Sequence, residues 1–402
     1  MSPDLSNDIR RIVVVGASLA GVRSVEALRR EGFDGEIVLV GAEEHFPPYD
    51  RPPLSKAVLL GESIEGFRLR VQPDLNAELV LNHRAVELDL GSREVVLHNG
   101  DRLSFDGLVI ATGATPRQPR ALTGDSDRVF VLRTTEDSLR LRAALSQRPR
   151  VAVVGGGFIG CEVAASCRQL GLDVTLIEAA AFPMEPVLGT AMASELVGMH
   201  HDHGTTLKTN AAVTEIHDET LLMADGSAVA ADIVIVAVGA APEVGWLKGS
   251  GLDISNGVLL DQTCLAVGAN GVAAAGDVAR WLNPLFGEVM RVEHWSNAVE
   301  QADAVARSLL AGPGEAAPYE SVPYFWSDQY DAKLQFVGRP RGDAHIVDGT
   351  PADRKFAALY VEGDRIMGGL CVNRPSLLGR YRRMVASRAS ARSLLEPVQA
   401  SD

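Results

Sequence analysis

The sequence predicts an α/β protein made of two Rossmann-like units followed by a smaller α+β domain. Three observations carry that prediction. An apolar strand, a glycine turn, a helix and a second apolar strand form one unit; the same unit recurs 139 residues later; and the C-terminal part breaks into short runs of alternating hydrophobicity. At 402 residues the chain exceeds the size at which a single core keeps growing, so several domains are expected.

The first unit reads Ile12-Val-Val-Val-Gly16-Ala-Ser18-Leu-Ala20-Gly21, then a helical stretch to Arg30 and a strand at Glu36–Val40. A further apolar strand runs into a glycine turn at Leu108-Val-Ile-Ala111-Thr112-Gly113-Ala114. The second unit reads Val151-Ala-Val-Val-Gly155-Gly-Gly157-Phe158-Ile159-Gly160, with a helix through Leu170 and a strand at Asp173–Glu178. Its own later strand is Ile233-Val-Ile-Val-Ala-Val-Gly239-Ala240. Continuous apolar strands joined by helices are the mark of a parallel sheet buried on both faces. A late strand at Gly271–Asp277 precedes a helix expected from Asn297 to Leu310, and the glycine- and proline-rich stretch 311–318 reads as a linker. Beyond it, alternating runs around Tyr324, Leu334, Ile346, Phe356 and Ile366 predict an antiparallel sheet with a closing helix.

Composition narrows the function classes. Hydrophobic residues make up 46% and charged residues 22%, as in an ordinary globular protein. The net charge of −14 argues against a general nucleic-acid binder, which needs a basic surface. From Ser321 to Asp402, however, 12 Lys and Arg face 9 Asp and Glu, so this stretch is mildly basic on an acidic body. Four cysteines, Cys161, Cys167, Cys264 and Cys371, show neither metal-ligand spacing nor a CxxC, which suits a reducing cytoplasm. Cys161 and Cys167, six apart on one helix, read as core residues. No run of 18 apolar residues occurs, and no leader is expected because the first hydrophobic strand begins at Ile9. The expected location is cytoplasmic. The cluster Met199-His-His-Asp-His203 reads as a solvated helix end, and no metal site is expected.

The glycine loops carry the chemistry. A dinucleotide pyrophosphate needs a tight turn, a close backbone approach and a helix N-terminus whose amides face the phosphates. Gly155, Gly157 and Gly160 meet that need in full. Glu178 closes the following strand, placed to accept hydrogen bonds from a ribose, and no Lys or Arg follows it to greet a 2′-phosphate. The expected ligand is therefore NADH over NADPH. The first loop has Ser18 where the middle glycine usually sits, and either Glu43 or Glu44 is its candidate ribose acceptor.

Two dinucleotide sites, together with the pair Gly276-Asp277, lead to a family. The sequence resembles the ferredoxin reductases of oxygenase and cytochrome P450 systems, over nearly its whole length. The most specific pieces are Tyr49-Asp-Arg-Pro-Pro-Leu-Ser-Lys56, Ala111–Ala114, Leu132-Arg-Thr-Thr-Glu-Asp137, Ala275-Gly-Asp-Val278 and Tyr324-Phe-Trp-Ser-Asp-Gln-Tyr330. The resemblance implies a glutathione-reductase-like fold. Its FAD-binding domain would be split over 1–117 and 245–320, with an NADH-binding domain at 118–244 and an α+β interface domain at 321–402.

It also implies residue roles. Gly16, Ser18, Ala20 and Gly21 would hold the FAD pyrophosphate, with Glu43 near the adenosine ribose, Val86 meeting the adenine through its backbone, and Ala111, Thr112 and Gly113 forming part of the same site. Arg51 and Lys56 would lie against the cofactor, Lys56 near the flavin ring with Glu162 as its ion-pair partner. Arg133 would approach the flavin, Gly276 and Asp277 would meet the ribityl chain, and Glu293, His294 and Trp295 would reach the pyrimidine edge. A helix starting there would present its positive end to the charge of the reduced ring. Phe158 and Ile159 in the second loop, with Gly239, complete the NADH side; Phe158 is equally a packing residue between helix and sheet.

By the same resemblance, NADH donates hydride to the flavin, which supplies single electrons to a small [2Fe–2S] ferredoxin. No cysteine precedes Cys161, so the dithiol relay of disulfide reductases is absent. Arg374, Arg380, Arg382, Arg383 and Arg388, with Trp326 as an apolar anchor, form a candidate basic patch for an acidic ferredoxin. The partner is otherwise open: a rubredoxin is the alternative acceptor, and a redox-responsive interaction protein like apoptosis-inducing factor is the alternative class. A monomer or weak dimer is expected.

Overall fold

The structure, a computed structural model, describes residues 9–123 and 127–392; the expected domains extend past these at 1–8, 124–126 and 393–402, which lie outside the described residues. The chain divides into two compact units. One comprises 1–50, 67–115 and 241–323, and the other 51–66, 116–240 and 324–402.

In the first unit a five-stranded sheet has the order Val272–Ala274, Gly107–Ile110, Arg11–Val15, Glu36–Val40, Glu78–Val80. Every neighbouring pair is parallel. Ile12, Val13 and Val14 are fully buried, as strands covered on both faces must be. The helix Leu19–Arg30 carries the chain from the central strand to Glu36–Val40, and the chain later returns on the other side at Gly107–Ile110. The strand order therefore reverses beside Arg11–Val15, the place where open parallel sheets hold ligands. The helix expected from Asn297 spans Trp295–Ala311 and packs on Leu19–Arg30. Two three-stranded sheets also belong to this unit, one from Ala85–Asp89, Glu94–Leu97 and Arg102–Ser104, the other from Val258–Leu260, Ala279–Asn283 and Glu288–Arg291.

The second unit repeats the plan. Its parallel sheet has the order Thr206–Lys208, Val174–Ile177, Val151–Val154, Ile233–Val236, Val129–Phe130, with the helix Phe158–Gln169 as the crossover. The helix Thr135–Leu145 starts at a capping box in which Thr134 and Asp137 each accept from the other's backbone amide. The helix Glu185–Asp202 is interrupted at Gly189, whose φ of 72° lies outside helical geometry.

All five alternating runs of the C-terminal stretch form strands. They make one antiparallel sheet in the order Tyr324–Gln329, Ala332–Gly338, Arg365–Val372, Lys355–Glu362, Asp343–Thr350. The helix Pro375–Ala386 closes on it so tightly that a Cβ at Gly369 would lie 2.8 Å from the Tyr381 ring. No helix among the described residues is long and apolar enough to cross a membrane.

Candidate functional site

In the first unit the predicted residues gather at the C-terminal ends of three adjacent strands. Gly16 follows Arg11–Val15, Ala111–Gly113 follow Gly107–Ile110, and Gly276–Asp277 follow Val272–Ala274. Gly16 has φ of 117°, and a Cβ there would meet the Ala111 carbonyl oxygen at 2.2 Å. A Cβ at Gly21 would sit 1.7 Å from the Gly16 carbonyl oxygen. Both glycines are thus required by the chain's own packing. Ser18 precedes the helix Leu19–Arg30 in extended conformation and spends no side-chain hydrogen bond on capping it. The amides of the first helical turn have no intrahelical partner, so the loop suits an anionic ligand.

Gly276 packs against the same helix; its Cβ would lie 3.0 Å from that of Ala20. Thr112 Oγ1 donates to the Glu243 carbonyl at 2.7 Å and Gly113 takes φ of 71°, which fixes the second turn. Glu43 accepts from the Tyr49 hydroxyl at 2.6 Å, whereas Glu44 is exposed. Asp277 is half-buried, and its carbonyl accepts from Arg291, which also pairs with Glu293. His294 occupies the N-cap position of the helix Trp295–Ala311 without a side-chain capping bond, and Trp295 Nε1 donates to Asp50 at 2.7 Å. Val86 lies away from the strand ends, half-exposed at a bulge in the strand Ala85–Asp89.

The second unit's loop has the same frame. Gly155 has φ of 104° and would meet the Ala237 carbonyl oxygen at 2.4 Å; Gly160 would meet the Gly155 carbonyl oxygen at 1.8 Å. At Gly157 an added Cβ would find nothing within 4 Å. The middle position therefore faces open space, as a pyrophosphate cradle requires. Glu178 accepts from the Gly156 amide at 2.5 Å and the Ala180 amide at 2.7 Å, which sets an acid at the end of the second strand. Ile159 is exposed, and Gly239 at φ of 94° accepts from the Arg117 amide at 2.9 Å. Phe158 stands edge-on to Phe325 at 4.5 Å, so it packs the crossover helix on the C-terminal sheet.

The same unit holds a cationic turn. Pro52–Ser55 form a short helix that delivers Lys56 to Glu162, Nζ to Oε1 at 2.9 Å. Glu162 is buried at 5% exposure, and its carboxylate also accepts from Ser55 Oγ at 2.6 Å and Ser327 Oγ at 2.9 Å. A buried carboxylate is tolerable only when paired and hydrogen-bonded, and this one has three donors. Arg51 donates to the Arg133 carbonyl at 2.6 Å, and Arg133's amide is held by Asp137 at 3.0 Å. Motif reading had brought Lys56 and Glu162 together but not the two serines. Ser327 was within reach of it, since Phe325, Ser327 and Gln329 alternate on one buried face.

One expectation is corrected. The cluster at 199–203 is not a solvated end throughout: His200 is buried, its Nδ1 3.1 Å from the Tyr330 hydroxyl. Burial first, and then His201 and His203 nearby, push its pKa down to about 4. No group of three or more potential metal ligands occurs among the described residues. The four cysteines are buried and unpaired with one another. Burial pushes the thiols of Cys167, Cys264 and Cys371 up to about 12 and that of Cys161 higher still, helped by Glu162 and Glu178. Deprotonated thiol, the nucleophile in disulfide exchange, is therefore suppressed.

A family model described as pyridine nucleotide-disulphide oxidoreductase matches residues 10–302, and one described as reductase C-terminal matches 324–396. The chain is 37% identical over 391 residues to the ferredoxin–NAD(+) reductase component of a p-cumate 2,3-dioxygenase system from Pseudomonas putida, covering 96% of each. It is 33% identical to putidaredoxin reductase of Pseudomonas putida, over 94% of this chain and 92% of that one. Among solved structures, the covalent putidaredoxin reductase–putidaredoxin complex aligns with a TM-score of 0.90 at 31% identity, over 97% of this chain and 96% of the other. The ferredoxin reductase for the CYP199A2 system of Rhodopseudomonas palustris also aligns at 0.90, with 34% identity, over 98% and 97%.

Proposed function

The chain belongs to the pyridine nucleotide-disulphide oxidoreductase family, and from that premise we propose that it is a ferredoxin–NAD(+) reductase. It takes electrons from NADH through FAD and passes them singly to a [2Fe–2S] ferredoxin that serves a cytochrome P450 or an aromatic-ring dioxygenase. The observation that carries this reading is the pair of glycine loops of equal steric build, each at the C-terminal edge of its own parallel sheet. Bound FAD would supply the conversion from a two-electron donor to one-electron transfers.

The residues have holding and orienting tasks. Gly16, Ser18, Ala20 and Gly21 would receive the FAD pyrophosphate on helix amides, and Gly155, Gly157 and Gly160 would receive that of NADH. Glu178 accepts ribose hydroxyls and repels a 2′-phosphate, which supports NADH as the donor. Lys56, fixed by Glu162, would offer a bound flavin a cation of constant position. The suppressed thiols support an electron route that does not pass through a disulfide. In this reading 1–117 and 245–320 would bind FAD, 118–244 NADH, and 321–402 would dock the partner.

The docking patch is narrower than composition suggests. Arg380, Arg382 and Arg383 are exposed on the helix Pro375–Ala386, and Arg388 is exposed just beyond it. Arg374 is half-buried and pairs with Asp348 at 2.9 Å, so part of its charge is spent within the chain. Trp326 is half-buried against Tyr324. These four exposed arginines would draw an acidic ferredoxin chiefly through its association rate.

Anaerobic stopped-flow mixing tests the reading. NADH should bleach flavin absorbance rapidly and NADPH slowly, and an added [2Fe–2S] ferredoxin should restore the absorbance promptly. A long-lived bleached state that no ferredoxin discharges would favour an interaction protein responsive to NADH instead.

A further inference from the structure

Glu162 is held from two sides, and one side reaches it from a strand 165 residues away in sequence. On the helix Phe158–Gln169, residues 158, 162 and 166 lie four apart and so on one face, at about 6 Å spacing. On the strand Tyr324–Gln329, residues 325, 327 and 329 share one buried face, at about 6.6 Å spacing. The two repeats match. Phe158 meets Phe325, and one step along Glu162 meets Ser327. At the next step of the helix, Ser166 Oγ donates to the Ser55 carbonyl at 2.7 Å, tying down the turn that bears Lys56.

The hydroxyl of Ser327 has a fixed direction. Gln329 Nε2 donates to Ser327 Oγ at 3.1 Å, which leaves the serine proton for Glu162 Oε1, the same oxygen that Lys56 Nζ contacts. Ser327 and Gln329 are buried at 0% and 1% exposure, so water does not substitute for either. Gln329 Oε1, moreover, is buried with no hydrogen-bond partner among the described residues. A side chain chosen only for stability would not strand a carbonyl in this way.

We infer that Ser327, oriented by Gln329, is a positioning residue: it holds the Glu162 carboxylate so that Lys56 keeps one place during flavin reduction. The C-terminal sheet thereby tunes the reductive step as well as presenting a surface to a partner. The inference rests on Lys56 serving the flavin, and the experiment separates the two.

The test is the limiting rate of flavin bleaching at saturating NADH, measured for Lys56→Met, Ser327→Ala, Ser327→Thr, Gln329→Leu and the double variant of Lys56→Met with Ser327→Ala. Ser327→Ala should lower that rate about tenfold and leave the half-saturating NADH concentration unchanged. Ser327→Thr, which keeps the hydroxyl, should restore most of the rate. Gln329→Leu should slow bleaching about threefold while its melting temperature stays level or rises, because the stranded carbonyl is gone. Added to Lys56→Met, Ser327→Ala should cost nothing more.

If Ser327→Ala fails to fold, Gln329→Leu reads the same chain of hydrogen bonds. Wild-type rates in Ser327→Ala and Gln329→Leu beside a slow Lys56→Met would overturn the inference and leave the Lys56 assignment standing. A wild-type rate in Lys56→Met would overturn both. Additive losses in the double variant would mean that Ser327 acts through folding alone, which also overturns the inference.

Discussion

The two glycine loops share a frame and differ at its centre. The outer glycines, Gly16 with Gly21 and Gly155 with Gly160, each press on a backbone carbonyl, at 2.2 and 1.7 Å in one loop and 2.4 and 1.8 Å in the other for an added Cβ. The middle residues are Ser18 and Gly157, with φ of −100° and −79°, where any L-residue is at ease. The chain itself therefore demands glycine at the outer positions, and only a ligand could demand it at the middle one. That is why a serine can stand in the first loop without loss of the fold. The second acid differs likewise: Glu178 is bound by the Gly156 amide of its loop and by the Ala180 amide, whereas Glu43 is held by the Tyr49 hydroxyl.

The largest expected effect comes from breaking the shared frame. Gly21→Ala and Gly160→Ala each force a helix off its strand and should cost about 3 kcal/mol or more, read from urea midpoints. They should part in function. Gly21→Ala should lose FAD on gel filtration, and Gly160→Ala should remain yellow but bleach slowly with NADH. If both lose FAD equally, the division of labour between the loops is wrong.

Acid sharpens the contrast next, because His200 belongs to the second unit. Its folded pKa of about 4 lies below the ordinary 6.5 through burial, so the unfolded chain binds the proton more readily. Stability is thus full above about pH 6.5 and declines as pH falls towards 4, by up to about 3 kcal/mol from this group. Thermal melts across that range should show the decline, and His200→Gln should flatten it.

A smaller effect is expected at Glu178. Its replacement by Gln keeps an acceptor but removes the charge, so half-saturating NADH should rise about tenfold and the preference over NADPH should shrink. Steady-state comparison of both donors checks this. The smallest effect is at the centre of the first loop. Ser18→Gly should change stability by no more than about 1 kcal/mol, the entropic cost of glycine, and leave flavin content near wild type. Gly157→Ser should fold normally yet weaken NADH binding, as the converse.

The elements legible in the sequence were those whose pattern is local. The longer parallel strands are apolar on both faces, and the five C-terminal strands alternate, so period identifies them, whereas the short parallel strands Glu78–Val80, Thr206–Lys208 and Val129–Phe130 carry no such signal. The small sheets were missed because their strands run three to five residues and carry exposed apolar groups such as Val86 and Val289. The helix Glu185–Asp202 was hidden because it follows a left-handed Met184 and breaks at Gly189. At the site, spacing exposed the glycines and Glu178. The burial of His200 depends on Tyr330, 130 residues on, and Ser55 reaches Glu162 across 107, distances over which no periodicity speaks.

The sealed thiols have a practical consequence. All four cysteines are buried, and their protons are held well above neutral pH. A cysteine introduced at exposed Ser376, on the helix Pro375–Ala386, would be the sole thiol open to maleimide reagents at pH 7. A fluorophore or spin label attached there would report the arrival and departure of a redox partner in real time, with every native cysteine left in place.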